Sequence, residues 1–457
     1  MSTLVVRAPF DGRELATLPR PSPGEVEAAV ARAAASFDET RALPTYVRVG
    51  ILRRVAAALE AGRDALGRTI ASEAGKPLKA ARTEVERASA TFSAAAAALE
   101  AWTGQMLPLD VNAVSLGRWG VLKRVPLGPV LAITPFNFPL NLTAHKVAPA
   151  VAVGAPVVQK PASQTPLSAL ALREIVAEAG WPRDAYAVLT LSGGEAEGLV
   201  TDPRLPVVSF TGSGAVGWRL REIAPRKRVS LELGGNAAAV VHSDADLDDA
   251  AARVASGAFG YAGQSCISVQ RVLVQRSVLD AFREKLLART AALHAGDPLD
   301  ERTDVGPMIA PEEAARAAEW VAEAVAGGAR VLAGGTRAGA VVAPTVLTGT
   351  TAAMKVESRE VFAPVMTLDA YDTWDEALRR VNDSRYGLQA GIFTRDLGRI
   401  AQAYDALEVG AVLVNDVPTW RADRMPYGGV KESGIGREGP AWAMEEFTEP
   451  RLLVLRP

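Results

Sequence analysis

The sequence predicts an α/β protein with two parallel-sheet domains, each crossed by helices, and a small β element outside them. Three observations carry this. At 457 residues the chain is longer than one hydrophobic core usually serves. Short apolar runs alternate with helical segments over 130–191, the repeat expected of strands joined by crossover helices. A second series of the same texture runs from about 246 to 419.

The elements follow in order. Residues 25–102 read as helical, Ala-rich with apolar side chains at threes and fours such as Val47, Ile51, Leu52, Val55, Ala58 and Leu59. After Pro108 the texture changes, and 114–125 mixes β-formers with Gly117 and Gly120, predicting a hairpin or a pair of strands. The first series predicts strands at 130–134, 157–160 and 188–191 with helices at 144–153 and 168–179. A strand at 207–210 then runs into a Gly-rich turn and a helix start, and 237–241 is a further strand. The second series offers strands at 272–274, 330–332, 365–370, 390–393 and 412–414. The last segment, 447–455, is extended and apolar without a neighbour in sequence to pair with. It is expected to pair with the 114–125 region or with another subunit.

Composition excludes several classes of function. With 50 basic against 52 acidic residues the chain has no global field favouring nucleic acid or an anionic membrane, so its partners are expected to be small molecules. The opening MSTLVVRAPFDGRE lacks a basic segment followed by an apolar one, and no long apolar run occurs, so a cytoplasmic protein is expected. The single Cys excludes internal disulfides and thiolate-cluster metal sites. His145, His242 and His294 lie far apart without ligand spacing, so no metal is expected either.

That one thiol, Cys266, sits in Gly263-Gln264-Ser265-Cys266, beyond a helix predicted to start at an Asp244 or Asp246 cap. A lone Cys alone reads as a small buried hydrophobe; in a loop of small residues it is also reachable as a nucleophile. Glu232 lies between two leucines before a Gly-Gly turn, an apolar setting that raises a carboxyl pKa and suits a general base, although an edge-strand Glu facing solvent fits the same pattern. Asn137, between Pro135 and Pro139, is either a turn former or an amide held rigidly enough to donate to an oxyanion. Gly212-Ser213-Gly214-Ala215-Val216-Gly217 matches GxGxxG between strand and helix. No free acidic residue stands about 20 positions on, so a dinucleotide here is expected to bind differently from the ordinary Rossmann mode.

Seven motifs, in order, carry a resemblance to a known family: Pro135-Phe136-Asn137-Phe138-Pro139, Lys160-Pro161-Ala162, Phe210-Thr211-Gly212-Ser213, Glu232-Leu233-Gly234-Gly235, Gly263-Gln264-Ser265-Cys266, Glu360-Val361-Phe362-Ala363-Pro364 and Pro426-Tyr427-Gly428-Gly429-Val430-Lys431-Glu432-Ser433-Gly434. Together they resemble the aldehyde dehydrogenase superfamily along the whole chain. The resemblance implies a Rossmann-like dinucleotide-binding domain at 1–111 and 127–232, a catalytic domain at 233–425, and a β oligomerisation element at 112–126 and 440–457. It implies oxidation of an aldehyde to the acid by NAD+ or NADP+, in a homodimer or homotetramer. Cys266 would be the nucleophile, Glu232 the base that activates water, and Asn137 with the Cys266 backbone N–H the oxyanion hole. Lys160 would hold the adenosine ribose, Ser213 the pyrophosphate and Glu360 the nicotinamide ribose, with Phe362 beside the nicotinamide. Phe136, Ala162, Ser163, Gly193, Thr211, Gly212 and Leu233 complete the implied cofactor set.

Departures from the family pattern sharpen this. Ser163 stands where many members carry a Glu that pairs with the adenosine 2′-hydroxyl, so a 2′-phosphate is tolerated, while Ser163 could equally serve the hydroxyl of NAD+. Phe136 replaces a common Trp. Glu232 argues for release by water, because CoA-acylating relatives typically lack it. The Cys266 surroundings, with Asn141, His145 and the loop Trp420-Arg421-Ala422-Asp423-Arg424, resemble the branch acting on lactaldehyde, semialdehydes or phosphonoacetaldehyde. Arg421 or Arg424 could grip an anionic tail, or either could serve a structural ion pair. Two other readings remain at this level: a cofactor-free thiol esterase or hydrolase, and a non-catalytic binding protein of the same fold.

Overall fold

The computed structural model describes residues 2–456. Near the N-terminus, Ser22 caps the helix Pro23–Ala35 reciprocally with Glu25. The helices Thr45–Ala61, Arg63–Ala74 and Leu78–Glu100 then pack on one another. The predicted apolar stripe is real but shifted at one position: Ile51, Leu52, Val55 and Leu59 are buried, while Ala58 is exposed and Ala56 is buried. An apolar stripe on a 3.6-residue period tolerates either alanine, and only packing chooses.

Five parallel strands form the first sheet, in the order Arg228–Glu232, Val207–Thr211, Val130–Ile133, Val157–Lys160, Tyr186–Val188. The short strand Gly434–Ile435 adds antiparallel beside Arg228–Glu232. Helices cover both faces, which is why these strands read as unbroken apolar runs. The crossover helix Asn141–Val153 is buried along its whole length.

The second sheet has seven strands, in the order Arg330–Ala333, Thr345–Thr348, Val365–Tyr371, Val269–Gln275, Ala237–Val241, Gln389–Phe393, Ala411–Val414. All neighbours run parallel except the first pair. Thr345–Thr348 has no counterpart among the predicted strands.

The third sheet corrects the predicted hairpin. Residues Ala113–Ser115 form a 3-10 turn, capped by the Asn112 side chain accepting from Val114 N and Ser115 N, and only Trp119–Pro126 is a strand. Its partners are Gln105–Pro108 on one side and Thr448–Leu455 on the other, both antiparallel. The local cap removes the first half of 114–125 from the sheet, and a strand from the segment assigned to the first domain takes its place. The pairing of the last strand with this region follows the expectation. Among the described residues no helix is long and apolar enough to cross a membrane.

Candidate active site

In-register parallel pairing sets the carboxyl ends of the first sheet side by side: Thr211 opposite Glu232, and Ile133 opposite both Phe210 and Lys160. Such an edge is where open α/β sheets bind ligands. Lys160 ends its strand there, and Ala162 and Ser163 follow it half-buried. Gly193 and Ser213 begin the neighbouring helical segments, Gly193–Thr201 and, from Ser213 as N-cap, Gly214–Ile223. The Ser213 hydroxyl makes no capping bond, so it and the backbone N–H groups of that helix start remain able to hold an anion. Gly212 donates its backbone N–H to Glu232 O, and Leu233 donates to Ser433 O, which fixes the turn after Glu232.

The thiol comes from the second sheet. Asp246 caps the helix Leu247–Phe259, accepting from Asp248 N and Asp249 N. The chain then turns through Tyr261 (φ 52°) and Ala262 (φ 53°), both left-handed, which ends the helix and throws Cys266 out ahead of the strand Val269–Gln275. The Tyr261 hydroxyl donates to Ala74 O at 2.9 Å, and Gln264 Oε1 accepts from Ile309 N at 2.8 Å, so the loop is anchored on both sides. Asn137 Nδ2 donates to the Gln264 carbonyl at 3.0 Å, placing its amide two residues from the thiol.

Gly235 joins the two halves. A Cβ there would lie 2.0 Å from the Cys266 carbonyl oxygen, so only glycine allows the turn after Glu232 to approach the thiol loop so closely. The Gly235 N–H donates at 2.9 Å to Glu360, whose carboxyl burial pushes up to about 7. Phe362 meets Phe136 edge to face, with ring centroids 5.9 Å apart.

Cys266, Glu232, Thr211 and Arg421 line one cleft of about 720 Å³, together with Arg87, Tyr427 and Glu438. Arg424 is not part of it. The Met425 N–H to Ala422 O bond turns the loop so that Arg424 is exposed, while Asp423 points inward to Arg87, His145 and Asn141. The Arg421 side chain is 4% exposed. Its Nη2 lies 3.1 Å from His145 Nε2 and 3.2 Å from Glu438 Oε2.

Electrostatics divide the two carboxyls at the back of the cleft. Burial, and then the charge of Glu438, raise Glu232 well above the usual carboxylate range. Burial also pushes Glu438 up, but Lys146 and Arg421 outweigh it and hold Glu438 at about 2. The pair therefore draws its proton toward Glu232 and its charge toward Glu438. Neither Glu232 oxygen has a hydrogen-bond partner among the described residues. Burial pushes the Cys266 thiol up to about 12, opposed by its hydrogen bond with Tyr427. Lys160 is held below its ordinary value by burial and by the charge of Arg20.

Sequence reasoning missed Glu438, Lys146 and Arg87, which carry no motif of their own. Tyr427 belongs to the motif Pro426-Tyr427-Gly428-Gly429, which by itself gives its hydroxyl no role.

A lone thiol and a buried, unpartnered carboxyl share one cleft beside the carboxyl edge of a parallel sheet, the arrangement of an α/β enzyme. The chain belongs to the aldehyde dehydrogenase family, whose profile, described as "Aldehyde dehydrogenase family", matches residues 2–453. It is 45% identical over 432 residues to a 3-sulfolactaldehyde dehydrogenase of Priestia aryabhattai, covering 94% of this chain and 90% of that one. Aldehyde dehydrogenase 21 of Physcomitrella patens, solved with the reaction product succinate, superposes with a TM-score of 0.98 at 41% identity, covering 100% of this chain and 95% of that one. A glyceraldehyde-3-phosphate dehydrogenase of Methanocaldococcus jannaschii, complexed with NADP, gives a TM-score of 0.95 at 37% identity, covering 99% of each chain. Family membership decides for a dehydrogenase over the thiol hydrolase and the non-catalytic binding protein.

Proposed function

We propose that this NAD(P)+-dependent enzyme oxidises a short aldehyde carrying a hydroxyl or anionic group, with Cys266 as nucleophile and Glu232 as the base for hydrolysis. The observation that carries this is Glu232, buried and without a partner, in the same cleft as the only thiol. Cys266 as thiolate attacks the carbonyl carbon, and Asn137 with the Cys266 backbone N–H donates to the oxyanion. NAD(P)+, when bound, accepts the hydride. The acyl group left on sulfur is released by a water whose proton Glu232 takes, which requires Glu232 first to lose its own. Lys160, Ser213 and Glu360 would hold the two riboses and the pyrophosphate, and the uncapped Ser213 hydroxyl and the Lys160 ammonium at the sheet edge suit those groups.

NADP+ fits this edge. Ser163 presents no carboxylate to a 2′-phosphate, and Arg20, 3.8 Å from the Glu195 carboxylate, adds a second cation near Lys160. The Thr190 hydroxyl donates to Pro19 O at 3.2 Å, and Leu189 N donates to Gln159 O, which sets Arg20 beside the end of the Lys160 strand. An anionic substrate is supported by two cations in the cleft, Arg421 and Arg87, paired at rest with Glu438 and Asp423, and by relatives named for 3-sulfolactaldehyde and aspartate semialdehyde. Subunits pair, in this reading, by adding Thr448–Leu455, whose Leu452, Leu453 and Val454 are exposed, to the edge strand Ala411–Val414 of another copy. A reducing cytoplasm would keep Cys266 free.

A panel of short aldehydes of equal length, neutral, hydroxylated or anionic, tests the substrate class with both cofactors in parallel. A kcat/KM at least about tenfold higher for the anionic or hydroxylated members is expected, one good charged contact being worth over 1 kcal/mol. Equal values across the panel would overturn it.

A further inference from the structure

We propose that the Tyr427 hydroxyl is a catalytic donor to Cys266, stabilising the thiolate as it forms and fixing the direction in which the sulfur faces the cleft. The inference rests on Cys266 being the nucleophile and adds a residue whose role no motif discloses.

The phenol oxygen lies 2.9 Å from Sγ, and this is its only hydrogen bond among the described residues. Tyr427 is 4% exposed and lines the cleft. Buried phenols nearly always find an acceptor, and a neutral thiol is a weak one. A thiolate is a strong one, so the contact gains most of its strength when the proton leaves sulfur. Ile267 and Leu388 pack against Cys266 and Tyr427 as an apolar wall. On that side a sulfur anion finds no water and takes its donor from the protein, while its other side faces the cleft.

The surroundings prepare this donor. The charged groups facing the sulfur are Glu360 and Glu232, which oppose ionisation, and Arg421, which favours it. The Arg421 guanidinium carbon stands 3.7 Å from the Tyr427 ring centroid. A cation over the ring withdraws electron density and makes the O–H a better donor. Arg421 is thus a positioning residue for this contact. Tyr427 and Glu438 exchange backbone hydrogen bonds at 3.0 and 2.7 Å, which fixes the ring's origin. In the reaction the thiol proton leaves to solvent, the S–C bond forms, and the sulfur's charge passes to the carbonyl oxygen. Tyr427 keeps its proton throughout.

Tyr427→Phe removes only the hydroxyl and retains the ring under Arg421. Because the chain has one Cys, iodoacetamide labelling followed by mass spectrometry reads that sulfur alone, and Cys266→Ala should take up no label. In the cofactor-free protein between pH 7 and 10, the Phe variant should alkylate roughly three- to tenfold more slowly at each pH. That is the net of a lower thiolate fraction and a more basic sulfur. An unchanged or faster rate would overturn the proposal, since a merely structural ring would leave it unmoved. Dehydrogenase activity surviving in Cys266→Ala would instead overturn the nucleophile reading, and this inference with it.

Discussion

Glu232→Gln should separate the two halves of the reaction. The residue is 3% exposed and its oxygens have no partner among the described residues, so no neighbour already placed on it can substitute as a proton acceptor. Removing a positioned general base costs about 10²–10⁴-fold in rate, or about 3–5 kcal/mol of barrier. The loss should fall on release of the acyl group, because formation and oxidation of the Cys266 adduct do not need this base. Rapid mixing with aldehyde and cofactor should give a burst of reduced cofactor approaching one per chain, there being one Cys, and then a steady state slower by that factor. Stability should move the opposite way. An acid whose pKa is raised on folding contributes stability that is complete below its unfolded value, here 4.5, and lost as pH rises through the raised folded value. Gln stays neutral throughout, so the variant should melt higher than the parent at pH 8, with the gap closing toward pH 4.5. Unchanged steady-state turnover, or a burst slowed as much as the steady state, would refute the assignment.

Other expectations are narrower. Cys266→Ala should abolish aldehyde oxidation while leaving dinucleotide binding intact by fluorescence titration, and any measurable turnover would count against it. Gly235→Ala should lower the melting midpoint and disorder the thiol loop, since a Cβ 2.0 Å from the Cys266 carbonyl forces overpacking of about 1–3 kcal/mol; an unshifted midpoint would show that the turn can give way. Arg20→Ala should weaken 2′,5′-ADP by roughly tenfold in calorimetry while leaving 5′-ADP unaffected, one charge-assisted contact being worth about 1.5 kcal/mol or more. Equal loss for both nucleotides would remove Arg20 from the 2′-phosphate site.

Much of this was legible before any coordinates. The parallel sheets announced themselves as apolar runs because strands covered on both faces have no polar side to show. Cys266 stood out by being alone, and Glu232 by an apolar setting next to a Gly-Gly turn whose second glycine the thiol loop requires. The region 114–125 misled because a side-chain cap at Asn112 competes with strand pairing, and propensity does not say which wins. Arg421 and Arg424, three residues apart in one polar loop, were indistinguishable until a single turn sent one inward and the other out.

The sequence alone determined the fold class, the family and the chemical types of the reacting groups, because these depend on residue identity and local spacing. Tertiary structure alone decided which groups meet. Glu438, Lys146 and Arg87 lie far apart along the chain, yet Lys146 pairs with Glu438 at 3.0 Å and Arg87 with Asp423 at 2.9 Å. Burial and the nearest charges, not residue type, then push Glu232 up and pull Glu438 down. Desolvation and Coulomb energy act through space, and a linear sequence carries no record of distance.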